Sequence, residues 1–210
     1  MISEPTPRKR RKEARPFELT AAALGLFVEK GFAATRLEEV AQRAGVSKGT
    51  LYLYFDSKET LFKAVIQEGV LPVVAESEAI AATHAGSAFD LLERLLANWW
   101  TRIGGTDFAG IPKLMVAEAR NFPDVAQFYY ENVIRRVRTL VGIVLERGMA
   151  SGEFRRMEIE TCIDVIMAPM LMLLIWRFSM AVCQNQQSDP AQYLAIHTDL
   201  LRQGLQRSQV

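Results

Sequence analysis

A run of residues near the amino terminus combines side-chain types that bind a polyanion. One lysine can neutralise phosphate, serine and threonine hydroxyls can donate hydrogen bonds, and a glycine lets a backbone approach closely. Two tyrosines add a hydroxyl on a flat apolar ring, which can donate to phosphate or lie against a thymine methyl group. No acidic residue interrupts positions 47–55. The predicted DNA contacts in this run are Ser47, Lys48, Gly49, Thr50, Tyr52 and Tyr54.

Three further residues are candidates for phosphate contacts at helix starts. Lys58 falls in the first turn of a predicted helix, where free backbone N–H groups also point outward. Thr35 and Arg36 precede another predicted helix, although Arg36 could equally be a solvated helix residue. Thr35 and Glu38 have the spacing of a capping box, in which a hydroxyl and a carboxylate each satisfy a backbone N–H group.

Two short predicted helices would position these side chains. The first spans residues 37–44 and stops at Gly45, because glycine readily adopts the left-handed conformation that reverses a chain. Ser47 is placed to cap the next helix, which spans about 48–54. This second helix has one apolar side toward the first helix and leaves the opposite side bare, an arrangement that fits a major groove. The inward-pointing residues are Leu51 and Phe55, and Tyr52 could also belong partly to the core.

Residues 17–66 resemble the DNA-binding domain of the tetracycline-repressor (TetR) family of bacterial regulators. The resemblance rests on an ungapped pattern that includes Gly31-Phe32, the run AGVSKGTLY at 44–52, and Ser57-Lys58-Glu59. It implies a second, helical domain with an effector cavity, and a two-fold dimer. Leu53 and Tyr54 stand where the family commonly has an aromatic residue and a histidine, so the operator sequence does not follow from the resemblance.

The chain as a whole is predicted to be all-α, with about nine helices. No alternating pattern typical of strands is present, and apolar residues recur at helical spacing from Pro16 onward. Residues 1–15, with six basic and two acidic side chains, are predicted to form a flexible basic arm that touches DNA or only aids solubility. Residues 16–62 would form a three-helix DNA-binding domain with a helix-turn-helix, and residues 63–210 a domain for ligand binding and dimerisation.

Two apolar helices near the carboxyl terminus predict a homodimer. The helix at about 158–184 is apolar on almost all sides, so one subunit cannot easily cover it. Pairing it and the last helix, 190–206, with their copies would form a four-helix interface. Such a dimer presents two recognition helices about 34–36 Å apart, so the expected DNA partner is a palindromic double-stranded operator.

The resemblance also implies a ligand cavity in the second domain. Aromatic and methionine side chains there would suit a hydrophobic effector, although most such residues in any protein are simply core. Pro169 lies inside a predicted helix and could shape the cavity or only bend that helix. The candidate wall residues are Trp99, Trp100, Phe108, Met115, Phe122, Tyr129, Met167 and Met170.

Composition argues against several other classes of protein. Of the 210 residues, 25 are Lys or Arg and 24 are Asp or Glu, so overall charge identifies no partner. Two cysteines and two histidines without metal-ligand spacing favour no metal, no cofactor and a reducing, cytoplasmic setting. No phosphate-binding loop, dinucleotide fingerprint or nucleophile elbow occurs, which argues against an enzyme. The longest uncharged stretch, 165–176, is too short to predict a membrane span.

These patterns together predict a dimeric, ligand-responsive transcriptional regulator that a small hydrophobic effector releases from its operator. Repression is the expected mode of action. Two alternatives remain at this point. One is a ligand-independent DNA-organising protein that uses the same helix-turn-helix, and the other is a helical enzyme or carrier with a vestigial hairpin.

Overall fold

The computed structural model describes residues 7–180, 183 and 189–206. Apart from one isolated backbone bridge between Phe154 and Gln206, these residues contain no β-structure, which confirms the all-α prediction. The α-helices are α1 (Pro7–Lys30), α2 (Leu37–Arg43), α3 (Lys48–Tyr52), α4 (Lys58–Gly69), α5 (Leu71–Thr83), α6 (Ala88–Trp99), α7 (Gly110–Glu118), α8 (Pro123–Tyr129), α9 (Arg135–Ala150), α10 (Ile159–Ile175) and α11 (Pro190–Leu205).

Several of these helices follow one another without a loop. Helices α4 and α5 meet at Val70, and a π-helical turn at Tyr130–Ile134 joins α8 to α9. Two more π-helical turns, Trp100–Gly104 and Trp176–Met180, extend α6 and α10. When abutting segments are merged, the described part of the chain has nine helical units, as the sequence predicts. The predicted helix 158–184 is described only as far as 180 and at 183.

The first helix begins nine residues earlier than the sequence predicts. Pro16 was expected to mark its start, but α1 begins at Pro7 and contains Pro16. Pro7 occupies the first helical turn, where proline is well tolerated, and the lysine, arginine, glutamate and alanine residues between Pro7 and Pro16 have high helix propensity, although Pro16 removes one backbone N–H group from the helix interior. Residues 7–15 of the predicted flexible arm are therefore helical in the structure, while residues 1–6 lie outside the described ranges.

Helices α1 to α4 pack around a cluster of aromatic side chains. Phe27, Phe32 and Phe62 are fully buried, and their ring centroids lie 5.2–5.3 Å apart. Leu51 from α3 is buried in the same core. Because α3 contributes a buried residue while being only five residues long, its position depends on this core. The core thus sets the orientation of the predicted recognition helix.

A second core lies among α5, α6, α9 and α10. Two charged side chains form hydrogen bonds with the backbone before and at the start of α6. The Glu153 carboxylate accepts hydrogen bonds from the backbone N–H groups of Ala88 and Phe89, at 2.7 and 2.8 Å. This carboxylate caps the start of α6 across more than sixty residues of chain. Arg147 donates to the His84 carbonyl at 2.9 Å, which holds the loop before α6.

The apolar helix α10 is only partly covered. Residues Ile159–Met180 are long and apolar enough to cross a membrane by length and composition, and 28% of the most apolar part of this stretch is buried. Pro169 removes one backbone N–H from the interior of α10, and its carbonyl accepts a hydrogen bond from Tyr193 of α11 at 2.9 Å. Both helices keep apolar residues in solvent, namely Val165, Met172 and Trp176 on α10 and its π-helical extension, and Ile196 and Leu200 on α11.

Candidate DNA-binding site and ligand cavity

The turn between α2 and α3 has the geometry of a helix-turn-helix. Gly45 has a φ of +67°, and the N–H group of Val46 donates to the Ala41 carbonyl at 2.9 Å. The Ser47 hydroxyl caps α3 by accepting from the Thr50 N–H group at 3.1 Å. The predicted roles of Gly45 and Ser47 in forming the turn and starting α3 are therefore confirmed.

Most of the predicted DNA contacts lie together on the open side of α3. Ser47, Lys48, Gly49 and Tyr52 are exposed, and the Tyr52 side chain is 44% exposed. The side chains of Thr50 and Tyr54 are half-buried, and Tyr54 packs against the domain core. One exposed apolar residue was not among the predicted contacts: Leu53, 82% exposed, directly follows α3.

An acidic residue from α2 reaches this surface, although the run 47–55 contains none. The Glu38 carboxylate forms an ion pair with the Lys48 ammonium at 2.5 Å. Lys48 also lies 5.7 Å from the ring centroid of Tyr52. The hydrogen bond from Lys48 lowers the pKa of Glu38, and the same bond raises the pKa of Lys48. Sequence reasoning missed this pair because only the packing of α2 on α3 brings the two residues together.

Thr35 does not offer its side chain to DNA, which corrects the prediction. It is 2% exposed, and its hydroxyl donates to the carbonyls of Gly31 and Leu26 at 2.7 and 3.2 Å. The start of α2 is instead the exposed Arg36, whose backbone N–H donates to the Glu39 carboxylate at 3.3 Å. The capping pattern is displaced by one residue because the Thr35 hydroxyl is directed to the Leu26 and Gly31 carbonyls instead of to α2.

Lys58 is held inside the molecule more than the sequence suggests. Its ammonium donates to the Ala33 carbonyl at 2.9 Å and lies 4.7 Å from the ring centroid of Phe32 and 5.7 Å from that of Phe122. Burial lowers the pKa of Lys58. An ammonium has three donors, so this bond leaves others for a phosphate, and the predicted contact stays a prediction.

A cavity of about 660 Å³ opens among α7, α8, α9 and α10. Five of the predicted wall residues line it, and Phe108 lines an adjoining smaller cavity that shares several of the same walls. Two predictions are wrong: Trp100 faces a separate groove between α6 and α11, and Phe122 packs on Phe32 with ring centroids 4.5 Å apart. The five predicted wall residues that line the larger cavity are Trp99, Met115, Tyr129, Met167 and Met170.

Few polar groups face the larger cavity. Arg138 and Asp164 both line it, but they form an ion pair with each other, and Arg138 also pairs with Glu160 at 2.6 Å. Tyr129 is buried, its burial raises its pKa, and its hydroxyl makes no hydrogen bond with any described residue. The arginine was not predicted from the sequence, because its cavity position depends on how α9 packs against α10.

The turn between α7 and α8 joins the cavity to the DNA-binding domain. Both helices contribute cavity walls, through Met115 and Ala126 among others. The Glu118 carboxylate at the end of α7 accepts from the Ala33 N–H group at 3.4 Å, and Phe122 packs on Phe32. A displacement of either wall would therefore act directly on the turn that precedes α2.

A helix-turn-helix packed on a core that continues into a larger helical domain with an apolar cavity defines a DNA-binding regulator. The family model for bacterial regulatory proteins of the tetR family matches residues 19–65. The model for a tetracyclin repressor-like C-terminal domain matches residues 83–181. The chain belongs to the TetR family of transcriptional regulators.

Individual relatives agree with this assignment. The chain is 29% identical over 168 residues to the HTH-type transcriptional regulator YdeS of Bacillus subtilis, which covers 79% of this chain and 80% of the relative. It is 29% identical over 145 residues to the transcriptional repressor KstR2 of Rhodococcus jostii, which covers 69% of this chain and 70% of the relative.

Solved structures show the same fold at lower sequence identity. A transcriptional regulator from Saccharomonospora viridis, solved in complex with choline, has a TM-score of 0.77 at 17% identity and covers 93% of this chain and 99% of that structure. The ketosteroid transcriptional regulator KstR2 of Mycobacterium tuberculosis has a TM-score of 0.71 at 22% identity, covering 92% and 96% respectively.

Proposed function

We propose that this chain is a cytoplasmic, homodimeric transcriptional repressor that binds a palindromic operator and releases it when a small hydrophobic effector enters the cavity. The observation that carries the proposal is the open side of α3. There a cation, a hydroxyl, a glycine and a tyrosine are exposed together, opposite the buried Leu51 that anchors the helix. A short anchored helix with such a surface suits insertion into a major groove.

The proposed DNA contacts follow from exposure. Ser47, Lys48, Gly49 and Tyr52 are the central contacts, with Thr50 and Tyr54 at the edges of the surface. Arg36 is exposed at the start of α2 and would reach the phosphate backbone. Lys58 would contribute a further phosphate contact if its ammonium is shared with the Ala33 carbonyl.

Uncovered apolar surface supports a dimer. Val165 on α10 and Leu200 on α11 are each 62% exposed in the single chain. A contiguous apolar surface of this kind is typical of a protein interface. Burying residues 158–180 and 190–206 against their copies would complete a four-helix interface and place two recognition helices for one palindrome.

The cavity supports an uncharged, apolar effector. Its walls are almost wholly apolar, and its two charged residues, Arg138 and Asp164, neutralise each other. The hydroxyl of Tyr129 could donate to one oxygen atom of such a ligand. One structural neighbour is described as a ketosteroid regulator, and a steroid is a molecule of this class.

Release of DNA requires that the effector bind more tightly to a conformation that fits the operator poorly. The walls on α7 and α8 and the turn between them supply a physical connection, because this turn contacts Ala33 and Phe32 of the DNA-binding domain. A coupling free energy of about 1–3 kcal/mol would change operator affinity roughly 5- to 150-fold.

A ligand-independent DNA-organising protein is the alternative. It would use the same helix-turn-helix but would have no need of a cavity. The volume of about 660 Å³ and its open mouth favour the ligand-responsive regulator.

Selection of bound duplexes from a random pool with the full-length protein tests DNA binding. We expect a two-fold symmetric motif with half-sites about one helical turn apart. Tyr52→Ala should change the selected motif as well as lower affinity, because Tyr52 faces the bases in the proposed complex. Ile143→Ala removes a similarly exposed apolar side chain from the second domain, outside the larger cavity, and serves as the control. Equal losses of Tyr52→Ala on selected and random DNA would contradict base contact.

A second measurement tests the ligand response. Gel shifts with the selected duplex are repeated across a panel of neutral apolar compounds, with a fatty acid and a quaternary ammonium compound of similar size as charged comparisons. At least one neutral compound should weaken operator binding. If every compound that binds the protein leaves the DNA complex unchanged, the DNA-organising alternative is favoured.

A further inference from the structure

The ion pair between Glu38 and Lys48 places a carboxylate on the surface that is proposed to face DNA. The carboxylate oxygen and the ammonium nitrogen are 2.5 Å apart, and both side chains are largely exposed. The neighbouring acids of the domain are occupied elsewhere: Glu39 pairs with Lys30 at 2.7 Å, and Glu29 pairs with Arg43 at 2.7 Å. Glu38 is thus the α2 acid that faces the recognition helix.

A carboxylate in this place is unfavourable for binding to phosphate alone. It neutralises the lysine that would otherwise release a counterion from DNA, and it adds a negative charge beside the phosphate backbone. Contact of Lys48 with a phosphate would require breaking the pair and leaving Glu38 unpaired next to a polyanion. The Glu38 carboxylate can favour DNA binding only if it accepts a hydrogen bond from a donor on the DNA.

The major-groove edge of a G·C base pair supplies such a partner. Guanine presents two acceptors, N7 and O6, and the cytosine paired with it presents a donor, the N4 amino group. Lysine commonly donates to guanine, and a glutamate can accept from the cytosine N4 amino group. An ammonium and a carboxylate held side by side therefore match the acceptors and the donor of one G·C pair.

We propose that Glu38 and Lys48 act as one specificity-determining unit that reads a G·C base pair in each half-site and disfavours DNA that lacks it. The proposal rests on the proposed function, because it requires α3 to lie in the major groove. Tyr52 assists by packing beside the Lys48 ammonium, with 5.7 Å between the ammonium and the ring centroid. On DNA of the wrong sequence the pair stays closed and the carboxylate repels the backbone.

The substitution Glu38→Met tests the unit, because methionine keeps the length of the side chain and removes both its charge and its strong acceptor. Motifs selected by the variant should lose the preference for G·C at one position of each half-site, with discrimination at that position falling about fivefold or more. Binding to a random duplex should become tighter, roughly five- to tenfold at 0.1 M salt, with a salt slope steeper by about one.

Glu29→Met is the matched control, because it breaks another carboxylate pair of the same domain, the 2.7 Å pair between Glu29 and Arg43. It should leave both the selected motif and the salt slope unchanged. A double-mutant cycle with Lys48→Ala gives an independent measure: the two changes should be non-additive at the G·C position, since either one dismantles the unit.

The outcomes separate this inference from the proposed function. If wild-type protein selects a palindrome and Glu38→Met selects the same motif with unchanged affinity for random DNA, the proposed role of the Glu38–Lys48 pair is wrong while DNA recognition by α3 stands. If the variant binds random DNA more tightly but keeps its G·C preference, the proposed reading of cytosine by Glu38 is wrong. If wild-type protein selects no motif at all, the proposed function itself fails.

Discussion

Two residues of similar chemistry, Thr35 and Ser47, show how burial separates structural from functional roles. Both carry a hydroxyl near a helix start and both are plausible phosphate contacts by residue type. Ser47 is exposed on the turn before α3, whereas the buried Thr35 hydroxyl donates to the carbonyls of Leu26 in α1 and of Gly31 directly after α1. Residue type alone therefore placed one buried residue, Thr35, among the predicted DNA contacts.

We expect Thr35→Val to lower the free energy of unfolding by about 1–3 kcal/mol, because the substitution keeps the shape of the side chain and removes the donor to the Leu26 and Gly31 carbonyls. Thermal or urea unfolding measures the change. Thr139→Val, at an exposed position whose hydroxyl donates within α9, should cost less than about 0.5 kcal/mol. An unchanged stability of Thr35→Val together with weaker operator binding would restore the original assignment.

At the scale of single helices, α11 carries a buried histidine, His197, whose ring nitrogens form no hydrogen bond with any described residue. This histidine is 7% exposed. Burial lowers the pKa of His197 below its ordinary value of 6.5. The helix is therefore packed around a histidine that is most stable in its neutral form.

This histidine makes stability depend on pH in a defined direction. Below pH 6.5 the unfolded chain binds a proton at residue 197 that the folded chain does not bind, so stability falls as pH drops from about 7 toward the lowered pKa. His197→Leu should remove this dependence and raise the melting temperature at pH 5.5. His84→Gln alters the other histidine, which is half-buried, and is the comparison variant. A profile for His197→Leu identical to that of the wild type would contradict this account.

At the scale of the whole molecule, the proposed dimer accounts for the apolar helix α10, which by length and composition alone could cross a membrane. The helix packs against α7, α9 and α11 on one side and leaves Val165, Met172 and Trp176 uncovered on the other. A second copy of the chain would cover that side, and binding of two half-sites would then link the dimer to operator affinity.

The double substitution Val165→Glu with Leu200→Glu should convert the dimer to a monomer in sedimentation experiments, because it places charges at the centre of the proposed interface. Operator affinity should fall by at least tenfold, since one recognition helix reads only one half-site. Ile143→Glu, an exposed apolar position on α9, is the control and should leave the sedimentation coefficient unchanged. A double variant that sediments like the wild type would rule out this interface.

Local patterns were sufficient for the helices, the turn at Gly45, the open side of α3 and the family, because helical periodicity and turn chemistry depend on residues close together in the chain. Four other features depend on tertiary packing. The Thr35 hydroxyl is buried, and Glu38 forms an ion pair with Lys48. Arg138 forms an ion pair with Asp164, and Phe122 packs on Phe32 at the junction with the DNA-binding domain. Periodicity shows which side of a helix is apolar but not which neighbour covers it. Contacts between residues far apart in sequence therefore require the fold itself.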